Sequence, residues 1–155
     1  MDKEELMRKA ILLSIENVKL GGGPFGAVIA KDGEIVATGV NQVTFECDPT
    51  SHAEVNAIRA ASARLGTFNL SDCEIYASCE PCPMCMGAIY WARLKKVYYA
   101  NTKEDAKKIG FDDSFIYEEL ILPCSKRRLV SETLLRPEAL KAFQEWMNKE
   151  DKVKY

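Results

Sequence analysis

Two cysteines separated by two residues are the first positions in this chain that could do chemistry. They stand in Cys82-Pro83-Met84-Cys85, a spacing typical of zinc sites, and residues three apart lie on the same face of a helix. Because proline is favoured in the first turn of a helix, Pro83 predicts that both sulfurs lie at a helix N-terminus. The helix dipole stabilises thiolates there, and the thiolate is the form that binds metal.

The single histidine supplies the next candidate ligand. His52 stands in His52-Ala53-Glu54, at the start of another predicted helix. Side chains two residues apart on a helix differ by about 200° in direction, so His52 and Glu54 cannot share a helix flank. Both can serve one metal only at the N-terminal end of the helix. The pattern therefore predicts a zinc ion between two helix N-termini.

The proposed ligand set also indicates the kind of zinc site. His52, Cys82 and Cys85 leave a fourth coordination position open, as in catalytic zinc sites, whereas structural zinc sites have four protein ligands. Glu54 is a carboxylate that does not bind the metal and can carry a proton to and from a reacting group. We therefore expect one zinc ion per chain, with Glu54 as the catalytic residue.

Each feature has another interpretation when it is taken alone. Ser51-x-x-Glu54 fits a capping box, in which Glu54 would only cap a helix. A lone Cys-x-x-Cys pair can be a redox dithiol. Gly21, Gly23 and Gly26 satisfy the dinucleotide-binding pattern Gly-x-Gly-x-x-Gly, but they follow a predicted helix and precede a predicted strand, which is the reverse of the required context. They indicate a tight turn instead.

Composition narrows the class of protein. The 155 residues suit one domain, and a net charge of −2 argues against nucleic acid as the main partner. The N-terminal residues lack the apolar core and cleavage site of a signal peptide. No apolar run approaches the roughly 20 residues that span a bilayer. We therefore expect a cytoplasmic protein without a membrane partner, in which Cys47, Cys73, Cys79 and Cys124 are buried thiols rather than ligands.

Alternating helices and strands are expected to position the candidate ligands. Apolar spacing predicts a first helix with Leu6, Ala10, Leu13 and Val18 inside. The predicted helices are 3–19, 52–65, 83–93, 102–109 and 137–148, and the predicted strands are 27–30, 34–37, 74–77 and 96–100. This order predicts a three-layer α/β domain with a mixed sheet. The segments 110–123 and 120–133 give no clear prediction.

The chain resembles the cytidine deaminase superfamily in three motifs. These are Pro24-Phe25-Gly26-Ala27, His52-Ala53-Glu54 and Glu80-Pro81-Cys82-Pro83-Met84-Cys85. The last two together form the His-x-Glu and Pro-Cys-x-x-Cys signature of zinc deaminases. Three further stretches resemble the guanine-deaminating members: residues 88–93, residues 110–117 and the terminal Lys154-Tyr155. The resemblance implies zinc-dependent hydrolytic deamination of guanine to xanthine and ammonia.

The resemblance also implies a fold and an assembly. The fold would be three-layer α/β/α, cytidine-deaminase-like, with a five-stranded mixed sheet flanked by helices. Residues 1–155 would form one deaminase domain. The chain would form a homodimer in which a swapped C-terminal segment, about residues 137–155, covers the active site of the partner.

The same resemblance implies a set of contacts to a small purine base. Asn41 would hydrogen-bond the purine, and Asp113 would recognise the side of the base that carries the amino group. Apolar walls and a few polar groups at the edge are what a flat heteroaromatic ligand needs. The complete implied set is Phe25, Asn41, Ala53 (through its backbone), Trp91, Asp113 and, from the partner chain, Tyr155.

Other functions remain open at this stage. Guanosine, cytosine or another aminated heterocycle could be the substrate. A tRNA adenosine deaminase would need basic flanks, but the segment from Pro137 mixes acidic and basic residues. A non-enzymatic zinc domain predicts that Glu54 is dispensable, and a redox dithiol predicts disulfide exchange through Cys82 and Cys85 without metal.

Overall fold

The computed structural model describes residues 1–155 as two compact units, Met1–Asp113 and Ser114–Tyr155. None of the helices is both long enough and apolar enough to cross a membrane. The first unit contains α1 (Lys3–Lys19), β1 (Gly26–Lys31), β2 (Glu34–Val40), α2 (Val43–Glu46), α3 (Ala53–Leu65), β3 (Glu74–Cys79), α4 (Pro83–Trp91), β4 (Lys96–Asn101) and α5 (Lys103–Lys108).

The sheet has four strands in the order β2-β1-β3-β4. Strand β1 is antiparallel to both β2 and β3, whereas β3 and β4 are parallel. The expectation of a mixed sheet is confirmed, but the expectation of five strands is wrong. The chain after Asn101 forms helices: α5 and then α6 (Ser114–Ile121). In α6 the apolar run Phe115-Ile116-Tyr117 is followed by two glutamates. This sequence lacks the alternation of apolar and polar residues that a half-buried strand shows.

Both faces of the sheet are covered by helices. The face of β1 and β3 that carries Val28 and Tyr76 packs on α1. The opposite face carries Ala27, Ile29 and Ile75 and packs in one core cluster with α3 and α4. Because successive side chains of a strand point to opposite faces, these two clusters are the two sides of one sheet. The first unit therefore has the predicted three layers.

Helix α1 buries Leu6 and Ala10 as apolar spacing predicts, but its buried face departs from the prediction toward the C-terminal end of the helix. Its buried residues are Leu6, Ala10, Ser14 and Asn17, whereas Val18 is 51% exposed. Ser14 and Asn17 are buried although both are polar. The Asn17 amide donates hydrogen bonds to acceptors inside the unit, which allows it to face inward. A buried polar group with partners costs far less than one without them.

Helix α3 lies very close to strand β2. Its inner face is made of small residues, Ala53, Ala57 and Ala61, all completely buried. Opposite them stands Gly39, where an added Cβ would lie 2.5 Å from the backbone nitrogen of Ala57. Only glycine permits this approach. The separation of α3 from the sheet, and with it the position of His52 before the helix, is set at this contact.

The second unit contains α6, a short 3₁₀ helix (Cys124–Lys126) and α7 (Arg136–Asn148). The predicted last helix is confirmed, while α6 falls in a stretch without a clear prediction. The Arg127 guanidinium donates hydrogen bonds to the carbonyls of Glu119 and Leu122 and so satisfies the end of α6. None of the residues in this unit is buried.

Candidate active site

Three side chains converge where two helices begin. His52 is the N-cap of α3 and Cys82 is the N-cap of α4, both with extended backbone, while Cys85 lies in the first turn of α4. The His52 Nδ1 atom is 3.6 Å from the Cys82 sulfur and 3.5 Å from the Cys85 sulfur. Their ligand atoms all lie within 4.8 Å of one another. The expected convergence of His52, Cys82 and Cys85 at two helix N-termini is therefore found.

These distances fit a zinc ion. A tetrahedral zinc with Zn–S of about 2.3 Å and Zn–N of about 2.05 Å holds its sulfur and nitrogen ligands about 3.6 Å apart. The two measured sulfur–nitrogen distances, 3.5 and 3.6 Å, match that separation. One imidazole nitrogen and two thiolate sulfurs are also a donor set that zinc prefers. His52, Cys82 and Cys85 are thus positioned to bind the metal.

The electrostatics of the ligands favour a cation. A hydrogen bond with Cys85, assisted by another with His52, lowers the pKa of the Cys82 thiol to about 4. The same hydrogen bond with Cys82, together with burial, raises the pKa of Cys85. Cys82 is therefore the thiol of the pair that ionises more readily. Both thiols must be deprotonated to bind the metal, so metal binding releases protons.

Glu54 lies beside the ligands on α3. Its side chain is only 7% exposed, and its Oε2 accepts a hydrogen bond from the Cys85 thiol at 3.3 Å. Burial raises the pKa of the Glu54 carboxyl, which brings it toward the range useful for proton transfer near neutrality. The capping-box alternative is wrong, because the N-cap of α3 is His52 and no side chain caps this helix.

A buried hydrogen-bond network supports the loop before His52. The fully buried Ser51 hydroxyl donates to the Glu46 carboxylate at 2.7 Å. The Asn56 amide donates to Ser51 Oγ at 3.0 Å and to the Val40 carbonyl at 2.9 Å. This network ties His52 to the end of β2. The sequence does not predict this network, because the partners of Asn56 are 5 and 16 residues away and no local pattern relates them.

Three of the expected purine contacts lie around this loop. Asn41 follows β2 and is 8% exposed, and the next residue, Gln42, donates its backbone N–H to the Ser51 carbonyl at 2.9 Å. Phe25 precedes β1 and meets Phe111 edge to face, with ring centroids 5.1 Å apart. Ala53 is the first residue of α3, where a backbone N–H has no acceptor within the helix.

The other three expected contacts have different settings. Asp113 ends the first unit; burial raises the pKa of its carboxyl, and the nearby Cys82 thiolate raises it further. Trp91 is the last residue of the nine-residue α4, which places it about 12 Å along the helix from Pro83. Its side chain is 68% exposed. Tyr155 ends the second unit and is 71% exposed. The roles of these residues in binding stay predictions.

The remaining cysteines are all free thiols. Cys73 and Cys79 are buried, as expected, but Cys47 and Cys124 are exposed, so the expectation of burial is wrong for these two. Cys47 ends the short helix α2 in a left-handed conformation with φ of 51°. That position terminates a helix at the surface, and thiol hydrophobicity does not override it.

Residues 1–101 match the family model described as "Cytidine and deoxycytidylate deaminase zinc-binding region". The guanine deaminase of Bacillus subtilis (strain 168) is 52% identical over 156 aligned residues, which cover 100% of both chains. The tRNA-specific adenosine deaminase of Aquifex aeolicus is 40% identical over 64% of this chain and 66% of its own length.

Solved structures that resemble this chain include two guanine deaminases. The crystal structure of guanine deaminase from Bacillus subtilis superposes with a TM-score of 0.97 and covers 100% of this chain and 99% of its own. A guanine deaminase structure from Nitrosomonas europaea, 34% identical, superposes with a TM-score of 0.70 over 72% of this chain and 65% of its own. With its fold, its three metal ligands and its full-length relatives, the chain belongs to the zinc-binding cytidine and deoxycytidylate deaminase family.

Proposed function

We propose that this chain is a guanine deaminase, which converts guanine and water to xanthine and ammonia at the His52, Cys82 and Cys85 site. The observation that carries the proposal is that the whole length of the chain resembles a guanine deaminase. The family region ends at residue 101, yet the likeness to Bacillus subtilis guanine deaminase continues over the whole chain. The tRNA-specific adenosine deaminase of Aquifex aeolicus matches only 64% of it. The likeness to a guanine deaminase in the residues beyond the family region therefore favours guanine as the substrate.

The reaction replaces an amino group by oxygen. Zinc, when bound, lowers the pKa of a coordinated water to about 7 and so makes a nucleophile available at neutral pH. Glu54 would take one proton from the attacking water and deliver it to ring N3 as the C–O bond forms at C2. It would then carry the remaining proton of the added hydroxyl group to the exocyclic amino group, so that the C–N bond breaks, ammonia leaves and the C2 carbonyl of xanthine forms. The raised pKa of the buried Glu54 carboxyl suits a group that must hold and return protons.

Recognition of the base is assigned to polar groups at its edges. Asn41 has its Oδ1 engaged by the Val43 N–H at 3.2 Å, which leaves the Nδ2 group to donate to a purine acceptor. Asp113 accepts from the amino and ring N–H groups of guanine, where other bases present an acceptor and are rejected. The Ala53 backbone N–H holds a further polar edge, and Phe25 and Trp91 line the pocket around the ring.

We also propose a homodimer that exchanges C-terminal segments. None of the residues 114–155 is buried, and large apolar side chains of this unit are exposed, including Ile121 at 84%, Leu134 at 82% and Phe143 at 72%. So many exposed apolar side chains are unusual for the surface of a monomeric protein. A second copy of the chain would cover them, and Tyr155 from that copy would close the site over the base.

A substrate panel tests the function. Purified zinc-loaded protein is incubated separately with guanine, guanosine, adenine, adenosine, cytosine and cytidine, and ammonia release is measured. We expect guanine to give the highest kcat/KM by at least tenfold. A higher kcat/KM for any other compound in the panel would replace guanine as the substrate.

A second assay, with an RNA substrate, tests the alternative that the chain is a tRNA adenosine deaminase. An anticodon stem-loop containing adenosine is offered at several salt concentrations. Deamination that weakens steeply with salt would identify nucleic acid as the substrate, because phosphate contacts release counterions. Bound zinc without turnover of any compound would indicate a non-enzymatic zinc domain. Disulfide exchange without metal would indicate a redox dithiol.

A further inference from the structure

Asn17 is a buried polar side chain that the metal chemistry does not use. It lies in the last part of α1 and is 3% exposed. Its Nδ2 group donates two hydrogen bonds, one to the carbonyl of Gly23 and one to the carbonyl of Asn41, each at 2.8 Å. The acceptors belong to the loop before β1 and to the residue after β2. The Asn17 amide therefore bridges two segments that are distant in sequence.

Backbone hydrogen bonds close this bridge into a ring. The Phe25 N–H donates to the Gly23 carbonyl at 2.9 Å, and the Asn41 N–H donates to the Phe25 carbonyl at 3.2 Å. The Gly23 carbonyl thus accepts from both Asn17 and Phe25. Asn41 is held at its backbone N–H by Phe25 and at its carbonyl by Asn17. Two of the residues that the proposed function assigns to the base, Asn41 and Phe25, are therefore part of one ring with Asn17.

Tight packing leaves the ring little freedom. A Cβ added at Gly22 would lie 2.5 Å from Asn17 Nδ2, and one added at Gly23 would lie 3.1 Å from Asn41 Cγ. The Gly22 N–H also donates to the Asn17 backbone carbonyl at 2.8 Å. The loop therefore packs directly on the Asn17 side chain. A displaced Asn17 amide would move the loop and Asn41 together.

We propose that Asn17 is a positioning residue for purine binding, which fixes Asn41 and Phe25 at the distance that the base requires. The inference rests on the proposed function, because it takes Asn41 and Phe25 as contacts to guanine. Asn17 touches neither the metal ligands nor, in this proposal, the substrate. Its effect on catalysis passes through the two residues that it holds.

The test uses Asn17→Ala, which removes both donors. Asn41 and Phe25 contact the base in the ground state as well as in the transition state, so their displacement raises KM more than it lowers kcat. A misplacement of about 1 Å can cost about 100-fold in kcat/KM. We expect KM for guanine to rise by about 10- to 100-fold, with stoichiometric zinc and with kcat changed by less than about threefold.

Ser14→Ala is the matched control. Ser14 lies on the same helix and is also buried, but its hydroxyl donates only to the Ile11 carbonyl within that helix, at 2.7 Å. We expect its KM to stay within about twofold of the wild type, since it holds no part of the ring. A merely structural role for Asn17 would lower the melting temperature of Asn17→Ala without raising its KM, and that outcome overturns the proposal.

Gly22→Ala keeps the test decisive if Asn17→Ala fails to fold. It retains Asn17 but pushes its amide away from the two carbonyls, and Gly22 has no left-handed φ that would strain an alanine. We expect the same rise in KM. Wild-type zinc content with an unchanged KM in Gly22→Ala overturns the proposal.

A double-mutant cycle with Asn41→Ala tests the route of the effect. If Asn17 acts through Asn41, then Asn17→Ala changes KM less in the Asn41→Ala background than in the wild type. Fully additive effects overturn the proposal. Guanine turnover by the wild type is measured in the same series. If the wild type does not deaminate guanine, the proposed function itself is wrong, and this result is distinct from a failure of the proposal for Asn17.

Discussion

Gly39→Ala should disturb the metal site from a distance. Gly39 pairs with Ala27 in the sheet and faces α3, where an added Cβ would lie 2.5 Å from the Ala57 nitrogen and would also meet the Ala53 carbonyl oxygen. Ordinary contacts of carbon atoms need about 3.5 Å. The difference, about 3.5 minus 2.5 Å, requires α3 to move about 1 Å away from β2.

That displacement reaches the metal ligands directly. Helix α3 begins at Ala53, and His52 immediately before it places Nδ1 between two sulfurs at 3.5 and 3.6 Å. Metal–ligand distances tolerate changes of about 0.2 Å, so a shift of about 1 Å should weaken zinc binding. Overpacking also costs about 1–3 kcal/mol of folding stability. We expect kcat/KM for guanine to fall about 100-fold.

Three measurements check this prediction: kcat/KM for guanine, zinc affinity by competition with a chelator, and the melting temperature. The melting temperature should fall by about 2–4 °C for each kcal/mol lost. Gly87→Ala is the control, since a Cβ at Gly87 would meet nothing within 4 Å and alanine favours a helix more than glycine does. Wild-type kcat/KM and zinc affinity in Gly39→Ala would refute the coupling between this contact and the site.

Three further predictions concern the metal, the thiols and the C-terminus. Chelation of zinc should abolish ammonia release and lower the melting temperature, and added zinc should restore both, because a ligand that binds only the folded state stabilises it; turnover that survives complete zinc removal would contradict this. Alkylation of the folded protein at pH 8, mapped by mass spectrometry, should modify exposed Cys47 and spare Cys73, since burial raises the pKa of the Cys73 thiol to about 11; equal rates at both would be inconsistent with the fold. Deletion after Asn148 should lower kcat/KM for guanine and leave zinc bound, and unchanged kinetics would argue against Tyr155 as a closing residue.

Local patterns in the sequence were sufficient to predict the metal site. Cys82 and Cys85 lie three residues apart behind a helix-starting proline, so their common position at the N-terminus of α4 follows from helix geometry alone. His52 and Glu54 cannot share a helix flank, and His52 is found at the N-cap of α3. The bounds of α1, residues 3 to 19, were likewise predictable from apolar spacing.

Features that depend on distant pairing were not predictable. Asn17 occupies a buried position that apolar spacing assigns to its neighbour Val18, because its partners at Gly23 and Asn41 become neighbours only in the folded chain. The strand count failed for a related reason. The resemblance implied a fifth strand, but the chain after Asn101 continues in helices, and its apolar residues lack the alternation of a strand.

The central claim is that Glu54 carries protons in a zinc-dependent deamination of guanine. Its most direct test is ammonia release from guanine by zinc-loaded Glu54→Gln beside the wild type, with zinc content measured in both. Glutamine preserves the size of the side chain but cannot shuttle protons. We predict stoichiometric zinc and a loss of about 10²- to 10⁴-fold in kcat, which corresponds to about 3–5 kcal/mol in the activation free energy. Substantial guanine turnover by zinc-loaded Glu54→Gln would contradict the account.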